Sequence, residues 1–208
     1  MIFQGSLLDC GGETRPGPLG GTVHRTPLAH GAWIDLRPAW VSGADDLFQA
    51  LVHAVPWRAE KRVMYDKLID VPRLTAFYGE DASLPHPALS VLRDALSAHY
   101  ASELGEPFRT AGLCLYRDGG DGVAWHGDRI GRGRTEDTMV AIVSLGSPRH
   151  LLLRPAADGG PTLRHALGHG DLLVMGGSCQ RTWLHSIPKT AAARGPRISV
   201  QFRPRGVR

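Results

Sequence analysis

The sequence predicts an α+β domain centred on an antiparallel β-barrel or β-sandwich. From residue 113 onward, short apolar runs recur with glycine- and proline-containing turns between them, a rhythm typical of such folds. Two earlier stretches repeat apolar residues at three- and four-residue intervals, which predicts amphipathic helices. At 208 residues the chain can bury one core without covalent staples. We therefore expect a single domain over residues 1–208.

The first 41 residues are interpreted as an N-terminal extension. Residues 9–31 contain many glycines and prolines, which predicts irregular structure. A first helix is then expected after Ser42, which can act as N-cap because Asp45 follows three residues later. Its apolar stripe consists of Phe48, Leu51, Val52 and Val55, and Pro56 ends it.

A second helix is predicted to begin near Pro87 and to end at Gly105. Its stripe consists of Leu89, Leu92, Leu96 and Tyr100. Between the two helices, residues 57–81 are rich in Arg, Lys and Tyr, and Pro72 and Gly79 limit long regular elements. We interpret this segment as strands and loops that form a substrate-facing lid.

Six short strands are predicted in the second half of the chain. They are Leu113 to Tyr116, Met139 to Leu145, His150 to Arg154, Asp171 to Met175, Gln180 to His185, and Arg197 to Phe202. A Gly176-Gly177 turn is expected to separate the fourth strand from the fifth.

The segment His126-Gly127-Asp128 predicts a metal site. In an extended segment residues i and i+2 point the same way, so His126 and Asp128 can reach one ion while Gly127 points away. His185, on a distant predicted strand, is well placed as third ligand. Two imidazoles and one carboxylate can occupy one face of an octahedral ferrous ion and leave three positions open, an arrangement typical of oxygenases.

The last predicted strand alternates strictly between apolar and polar residues, which predicts a half-buried strand. Its polar face carries Arg197, Ser199, Gln201 and Arg203. This face is either solvent surface or the lining of a barrel. In a barrel the arginines need anionic partners, and a dicarboxylate would supply two.

Any single histidine among the ten in the chain can be an ordinary hydrogen-bonded or surface imidazole. Trp125 and Trp183, which flank the metal motifs, are interpreted as core aromatics. Tyr65 and Tyr78 either stack on a base or fill the lid.

Taken together, the motifs resemble the AlkB family of iron(II)- and 2-oxoglutarate-dependent dioxygenases, which demethylate alkylated bases. The resemblance runs from about Arg62 to Arg203. It rests on Val71-Pro72-Arg73 with Tyr78-Gly79, Tyr116-Arg117-Asp118-Gly119, Trp125-His126-Gly127-Asp128, Ser144-Leu145-Gly146, Gly170 to Met175, Trp183-Leu184-His185, and Arg197 through Arg203.

The resemblance implies a double-stranded β-helix (jelly roll) over residues 110–204, buttressed by helices, with residues 57–81 as nucleotide-recognition lid. It makes His126, Asp128 and His185 the ligands of Fe(II), with O2 and 2-oxoglutarate as co-substrates. Arg197 would bind the distal carboxylate of 2-oxoglutarate. The other residues expected to line the co-substrate pocket are Tyr116, Gln201, Arg203 and Cys114.

On the substrate side, the resemblance implies contacts from Tyr65, Lys67, Arg73, Tyr78 and Arg129. Two positions depart from the family pattern. Cys114 stands where the family usually carries an asparagine that hydrogen-bonds 2-oxoglutarate, and a thiol is a weak donor. Ile130 stands where relatives often place an acid that reads the base.

The formal net charge of +4 suits a nucleic-acid partner without establishing one. Arg129, Arg132 and Arg134 follow the metal motif directly and are predicted to lie at the rim of the site. There they either contact phosphates or form a solvated basic loop.

Three cysteines at irregular spacings fit neither a disulfide framework nor a zinc cluster, which indicates a reducing compartment. No signal peptide and no apolar run long enough to span a membrane are apparent. We expect a cytoplasmic monomer that does not associate with membranes.

The expected function is oxidative demethylation of N-alkylated bases of the 1-methyladenine and 3-methylcytosine type in DNA or RNA, with release of formaldehyde and succinate. One alternative keeps the iron chemistry but acts on a protein or small molecule. The other is a nucleic-acid-binding barrel without catalysis.

Overall fold

A computed structural model of the protein describes residues 13–64, 67–157, 159–193 and 195–207, and for residues 61–64 and 67–70 it describes the backbone alone. In chain order the strands are β1 (Arg15–Pro16), β2 (His24–Pro27), β3 (Ala32–Arg37), β4 (Val41–Ser42), β5 (Arg58–Met64), β6 (Lys67–Tyr78), β7 (Thr110–Tyr116), β8 (Val123–His126), β9 (Val140–Gly146), β10 (Arg149–Pro155), β11 (Leu163–Leu167), β12 (Asp171–Gly177), β13 (Trp183–Ile187) and β14 (Arg197–Arg203). The helices are α1 (Ala44–Ala54), α2 (Pro87–His99), α3 (Ala101–Leu104) and α4 (Cys179–Thr182).

Two antiparallel sheets form a jelly roll, as predicted. The large sheet has eight strands in the order β2-β3-β12-β9-β14-β7-β6-β5, and the small sheet has four in the order β11-β10-β13-β8. β1 and β4 form a separate pair. The two larger sheets share one apolar core, to which the large sheet contributes Ile142 and Met175 and the small sheet contributes Leu153 and Trp183.

Helices α1 and α2 cover the outer face of the large sheet. Leu51 of α1 and Leu92 of α2 are completely buried in the same cluster as Val143 and Val200 of the sheet. The helical layer covers and supports one face of the large sheet, which leaves the other face of that sheet for the polar residues of a site.

Strand β14 shows why the site lies inside the barrel. Ile198, Val200 and Phe202 pack toward the helices, as their period of two predicts. The polar residues on the opposite face are also buried, Arg197 to 1% exposure and Ser199 to 3%. Of the two alternatives for this face, the lining of a barrel is therefore confirmed: the small sheet covers the polar residues, and the strand is buried on both faces.

The first helix begins one residue later than its predicted cap implies. Gly43, in the left-handed region at φ +64°, is the N-cap, and no side chain caps the helix. Ser42 instead donates its hydroxyl hydrogen to the carbonyl of Arg15. The second helix begins at Pro87 as predicted, and Gly105 in left-handed conformation ends the short helix that follows it.

The connection from β12 to β13 differs from the predicted turn and strand. β12 continues through Gly177, and residues 179–182 form the one-turn helix α4 before β13 begins at Trp183. Gly177 has φ +60°, which turns the chain, and the Ser178 and Thr182 hydroxyls then lie 2.9 Å apart across the turn. The strand predicted from Gln180 is therefore helical in its first three residues.

The N-terminal extension is more regular than its composition suggests. β2 pairs with β3, and β3 in turn pairs with β12, so the extension supplies two strands to the large sheet. Arg25 on β2 forms an ion pair with the buried Asp35 on β3 at 2.7 Å, and Tyr100 donates to the same carboxylate. These contacts attach the N-terminal extension, which was expected to be irregular, to the core.

The segment predicted as a lid is a β-hairpin. β5 pairs with β6, and β6 pairs with β7, so the hairpin extends the edge of the large sheet.

Among the described helices, none combines the length and the apolar character needed to cross a membrane.

Candidate iron and 2-oxoglutarate site

The predicted metal ligands come together at the edge of the small sheet. His126 ends β8 and pairs directly with His185 on β13. Their ring centroids are 4.2 Å apart, and one ligand atom from each histidine and from Asp128 lie within 4.8 Å of one another. Strand register therefore sets the distance between the imidazoles.

Hydrogen bonding determines which nitrogen of His126 faces the site. Nδ1 lies 2.8 Å from the carbonyl oxygen of Ala124. A carbonyl can only accept, so Nδ1 carries the proton and Nε2 keeps a lone pair. Nε2 is also the atom that lies 3.9 Å from Oδ1 of Asp128.

Both imidazoles are in the neutral form that binds metals. Burial, and after it the neighbouring His126, lowers the pKa of His185 to about 3. Burial also lowers the pKa of His126, although the charge of Asp128 opposes that shift. At neutral pH neither ring needs to lose a proton before it binds a metal ion.

Asp128 is held by groups from two distant parts of the chain. Arg203 donates from Nε to Oδ2 at 2.7 Å, and the backbone NH of Asp128 donates to Oε1 of Gln180 at 3.2 Å. Burial alone would raise the pKa of this carboxyl, but the charge of Arg203, followed by the charges that His185 and His126 acquire at low pH, lowers it to about 2. Arg203, predicted to contact the co-substrate, thus contacts a metal ligand.

Gln180 was missed in the sequence, because it lies on the unpredicted helix α4. Gln180 is only 1% exposed, and its Oε1 accepts a hydrogen bond from the backbone NH of Asp128. The signal available in the sequence was a glutamine three residues before Trp183-Leu184-His185.

Arg197 lies in the barrel interior as a cation without a counter-ion among the described side chains. Its Nε donates to the Ser144 hydroxyl at 2.9 Å, while both terminal nitrogens are buried without a hydrogen-bond partner in the described part of the chain. Burial lowers the pKa of this guanidinium. Unpaired polar atoms of this kind are costly to bury, so they indicate an anion-binding site.

Tyr116 borders the same space. Its ring lies 5.2 Å from the guanidinium carbon of Arg197, and burial raises the pKa of its hydroxyl to about 12. Arg149, which the sequence did not single out, lies 5.4 Å from this ring and donates to the carbonyls of Asp118, Asp121 and Pro188. It fixes the loop that leads into β8.

Cys114, Ser199 and Gln201 form a linked group on the same inner face. The Gln201 amide nitrogen donates to the Ser199 hydroxyl at 2.7 Å, and its Oε1 lies 3.8 Å from the sulfur of Cys114. Gly112 makes room for them, since a Cβ there would lie 2.9 Å from a nitrogen of Arg203 and 3.1 Å from Oε1 of Gln201.

The residues present fit an iron and 2-oxoglutarate site. The donor set is two neutral nitrogens and one carboxylate oxygen, which suits Fe(II) and leaves coordination positions for other ligands. The buried terminal nitrogens of Arg197 suit a carboxylate.

Comparisons with known proteins agree with this geometry. Residues 78–203 match the family model described as the 2OG-Fe(II) oxygenase superfamily. The chain is 33% identical to the alpha-ketoglutarate-dependent dioxygenase alkB homolog 3 of Bos taurus, with 88% of this chain and 69% of that protein covered. It is 31% identical to the DNA oxidative demethylase ALKBH2 of Homo sapiens, with 77% and 68% covered.

The chain belongs to the AlkB family of Fe(II)- and 2-oxoglutarate-dependent dioxygenases. A solved structure described as that of OsALKBH1 has the same fold, with a TM-score of 0.58 at 16% identity over 82% of this chain and 97% of the other. The predicted jelly-roll fold agrees with this likeness.

In this AlkB-family enzyme, the residues predicted to contact substrate occupy different places. Arg73 lies on β6 within electrostatic range of Tyr116 and His126, and its Nε is buried without a partner among the described residues. Tyr78 pairs with Ala111 and packs with the cluster on the helix-covered face of the sheet. The structure therefore places Tyr78 on the opposite face from Arg73.

Tyr65 lies outside the described residues, as does the side chain of Lys67. Phe77, which the sequence reading passed over, pairs with Gly112 and is 48% exposed. Because Gly112 faces the barrel interior, Phe77 lies on the site side of β6. The signal in the sequence was a second aromatic residue directly before Tyr78-Gly79.

The predicted basic rim divides into two kinds of arginine. Arg129 and Arg134 are exposed, as the prediction requires. Arg132 forms ion pairs with Glu106 at 2.7 Å and Glu136 at 2.9 Å. Two carboxylates already neutralise the guanidinium of Arg132, which leaves Arg129 and Arg134 as the exposed cations of the predicted rim.

The two tryptophans that flank the metal motifs differ in burial. Trp183 is 5% exposed in the barrel core, as predicted. Trp125 is half-buried and lies under the guanidinium of Arg154 at 4.3 Å. Trp125 is therefore not a core residue, because it points away from the barrel while the next residue, His126, points inward.

Proposed function

We propose that this enzyme removes alkyl groups from N-alkylated bases in DNA or RNA by oxidation. The methyl carbon of a substrate such as 1-methyladenine or 3-methylcytosine leaves as formaldehyde, and 2-oxoglutarate is converted to succinate and carbon dioxide. The observation that carries the proposal is the His126, Asp128 and His185 cluster, with all ligand atoms within 4.8 Å, in a chain similar to nucleic-acid demethylases.

Bound Fe(II), 2-oxoglutarate and O2 supply the oxidation itself. The protein holds iron through His126, Asp128 and His185. Arg197 pairs with the distal carboxylate of the co-substrate, and Tyr116 limits the space beside it. The buried walls of the jelly roll exclude water from this region.

Substrate approaches from the side of the β5–β6 hairpin. A base in a duplex must leave the stack, at a cost of roughly a few kcal/mol. We propose that Tyr65 and His126 sandwich the extruded ring and that Lys67 contacts its phosphate. Arg73 and Arg129 are proposed as further contacts, supported by the position of Arg73 near His126 and by the exposure of Arg129.

Tyr78 is proposed to support the hairpin from behind. Its ring packs against the apolar cluster on the helix-covered face, and burial raises the pKa of its hydroxyl. This replaces a direct stacking role.

The experiment that tests the proposal is mass spectrometry of oligonucleotides that contain 1-methyladenine or 3-methylcytosine. With Fe(II), 2-oxoglutarate and ascorbate present, each oligonucleotide should lose the mass of one methylene and release formaldehyde. His185→Ala should abolish both products. Succinate production without any loss of methyl from nucleic acid would overturn the proposed substrate.

One observation favours a second candidate, oxidation of a protein or small molecule. Ile130, two residues after the metal ligand Asp128, is 68% exposed where a base-reading acid is expected. Methylated peptides and small N-methyl amines therefore belong in the same assay, and turnover of these alone would support the second candidate.

A cytoplasmic monomer remains our proposal for the state of the protein in the cell. Cys114 and Cys179 are free thiols, which suits a reducing compartment. Light scattering of the purified protein and fractionation of cells that produce it would test the two parts separately.

A further inference from the structure

Asp128 differs from the other two metal ligands in how it is supported. His126 and His185 lie on paired strands, whereas Asp128 follows the end of β8 and begins an irregular loop. We call residues 129–137 the metal-proximal loop. A ligand on an irregular segment needs support from elsewhere if its carboxylate is to stay within reach of the histidines.

That support comes from the four residues after β14, residues 204–207, which we call the C-terminal strap. Gly131 and Val207 form an antiparallel β-bridge, and the backbone NH of Arg132 donates to the carbonyl of Gly206 at 3.0 Å. Val207 is 1% exposed and belongs to the apolar core between the sheets. The strap is therefore anchored in the barrel and bound to the loop.

Close packing brings the strap to the metal ligand itself. A Cβ on Gly133 would collide with the carbonyl oxygen of Asp128 and would contact Val207 at 3.6 Å. Arg203, the residue directly before the strap, binds the carboxylate of Asp128. One stretch of chain therefore constrains both the backbone and the side chain of this ligand.

Arg132 fastens the two parts together. Its guanidinium binds Glu106 at 2.7 Å, Glu136 at 2.9 Å and the carbonyl oxygen of Arg205 at 3.2 Å. It thus links the loop to itself, to the strap and to the segment between α3 and β7. Each exposed ion pair alone contributes little stability, but three bonds from one side chain fix a geometry.

We infer that Arg132 is a positioning residue for the metal site, which acts by clamping the loop after Asp128 to the C-terminal strap. The inference concerns metal binding and does not depend on which molecule the enzyme oxidises. Loss of supporting contacts around metal ligands lowers metal affinity by about 10- to 100-fold, and Arg132 acts at the lower end because it reaches Asp128 through the backbone.

The test compares Arg132→Met with Arg134→Met in the full chain. Arg134 lies in the same loop and is exposed, and its side chain makes no ion pair within the described part of the chain. Titration with Mn(II), read by electron paramagnetic resonance without substrate, should show a dissociation constant about tenfold higher for Arg132→Met and unchanged for Arg134→Met. Arg132→Lys should recover part of the affinity.

Thermal unfolding of the metal-free variants separates positioning from simple loss of fold, and the melting temperature should change little. If Arg132→Met unfolds, Glu106→Gln weakens the same clamp from the other side and should also raise the dissociation constant. Wild-type Mn(II) affinity in the folded Arg132→Met or in Glu106→Gln, or an equal loss in Arg134→Met, would overturn the inference. Because no substrate is present, this outcome is distinguishable from a failure of the proposed demethylation.

Discussion

Arg203 and Asp128, 75 residues apart in sequence, are joined by a hydrogen bond of 2.7 Å from Nε to Oδ2. Asp128 is 6% exposed, so this guanidinium supplies most of the nearby positive charge that keeps the buried carboxyl ionised. The metal site is thus prepared in its charged form before any ion arrives.

Replacing Arg203 by Met should raise the pKa of Asp128. Loss of an adjacent cation raises the pKa of a carboxyl by about 1 to 3 on the pH scale. Mn(II) binding, which needs the carboxylate, should then fail at a higher pH than in the wild type. Metal titrations between pH 4 and 8 measure this, with Arg203→Lys as the charge-preserving control. An unchanged pH profile in Arg203→Met would show that Arg203 does not control the ionisation of Asp128.

Replacing Arg197 by Met should weaken 2-oxoglutarate binding without unfolding the protein. The lost charge-assisted hydrogen bonds predict a KM for 2-oxoglutarate about 10- to 100-fold higher. The melting temperature of the metal-free variant should not fall, because the change removes a buried cation that lacks an anionic partner. Ser144→Ala, which removes only the bond to Nε, should raise KM less. Equal KM values for wild type and Arg197→Met would contradict the assignment.

Replacing Cys114 by Asn should tighten co-substrate binding. The thiol is a weak donor that lies 3.8 Å from Gln201 Oε1, whereas an amide on this inner face could donate a full hydrogen bond. A neutral hydrogen bond predicts a KM for 2-oxoglutarate about 2- to 10-fold lower. Steady-state succinate release measures it. Cys114→Ala should leave KM close to the wild-type value, and a large increase in that variant would mean that the thiol itself binds the co-substrate.

The metal-free protein should lose stability as the pH falls below 6.5, in part through His185. Its pKa is about 3 in the folded state against an ordinary 6.5, so below pH 6.5 the unfolded chain binds a proton that the folded chain does not. The free energy of unfolding therefore decreases as the pH falls from 6.5 toward 3. At pH 5 the contribution is on the order of 2 kcal/mol.

Urea unfolding of wild type and His185→Gln at pH 7.5 and pH 5, with chelator present, isolates this contribution. The drop in the free energy of unfolding should be smaller in the variant by that amount. His126, His150 and His165 are unchanged in both proteins, so their shared contribution largely cancels in the comparison. Identical drops would contradict the burial of a neutral His185.

Replacing Tyr65 by Ala should reduce turnover of methylated oligonucleotides while Mn(II) affinity stays the same. Base stacking on an aromatic ring contributes roughly 1 to 3 kcal/mol, which predicts a loss of about 5- to 100-fold in kcat/KM. Tyr65→Phe keeps the ring and should retain most of the activity. Unchanged turnover in Tyr65→Ala would remove the stacking assignment.

Sequence motifs were sufficient to name the metal ligands, although strand geometry explains only part of the site. His126 ends β8 and Asp128 lies in the loop after it, so the extended segment predicted over residues 126–128 stops at His126. The apolar alternation of β14 does follow from strand geometry alone. The same alternation did not reveal what covers the polar face of β14. The small sheet covers that face, and the period of two within one strand carries no information about the position of another sheet.

Contacts between distant residues account for the other differences. Arg132 looked like part of a free basic loop because its partner Glu106 lies 26 residues away. The residue type of Tyr78 predicts a substrate contact, but its strand register pairs it with Ala111 and turns it toward the apolar cluster on the helix-covered face. The helix α4 escaped detection because a single turn between two strands leaves no period to recognise.

Because His126 pairs with His185 across two strands, the metal centre is sensitive to the register between β8 and β13. An insertion of one residue within β8 or β13 would turn one imidazole to the outside of the barrel and bring its neighbour in its place. Length changes in this enzyme are therefore tolerable in the turns and not within these two strands, whichever residue is inserted.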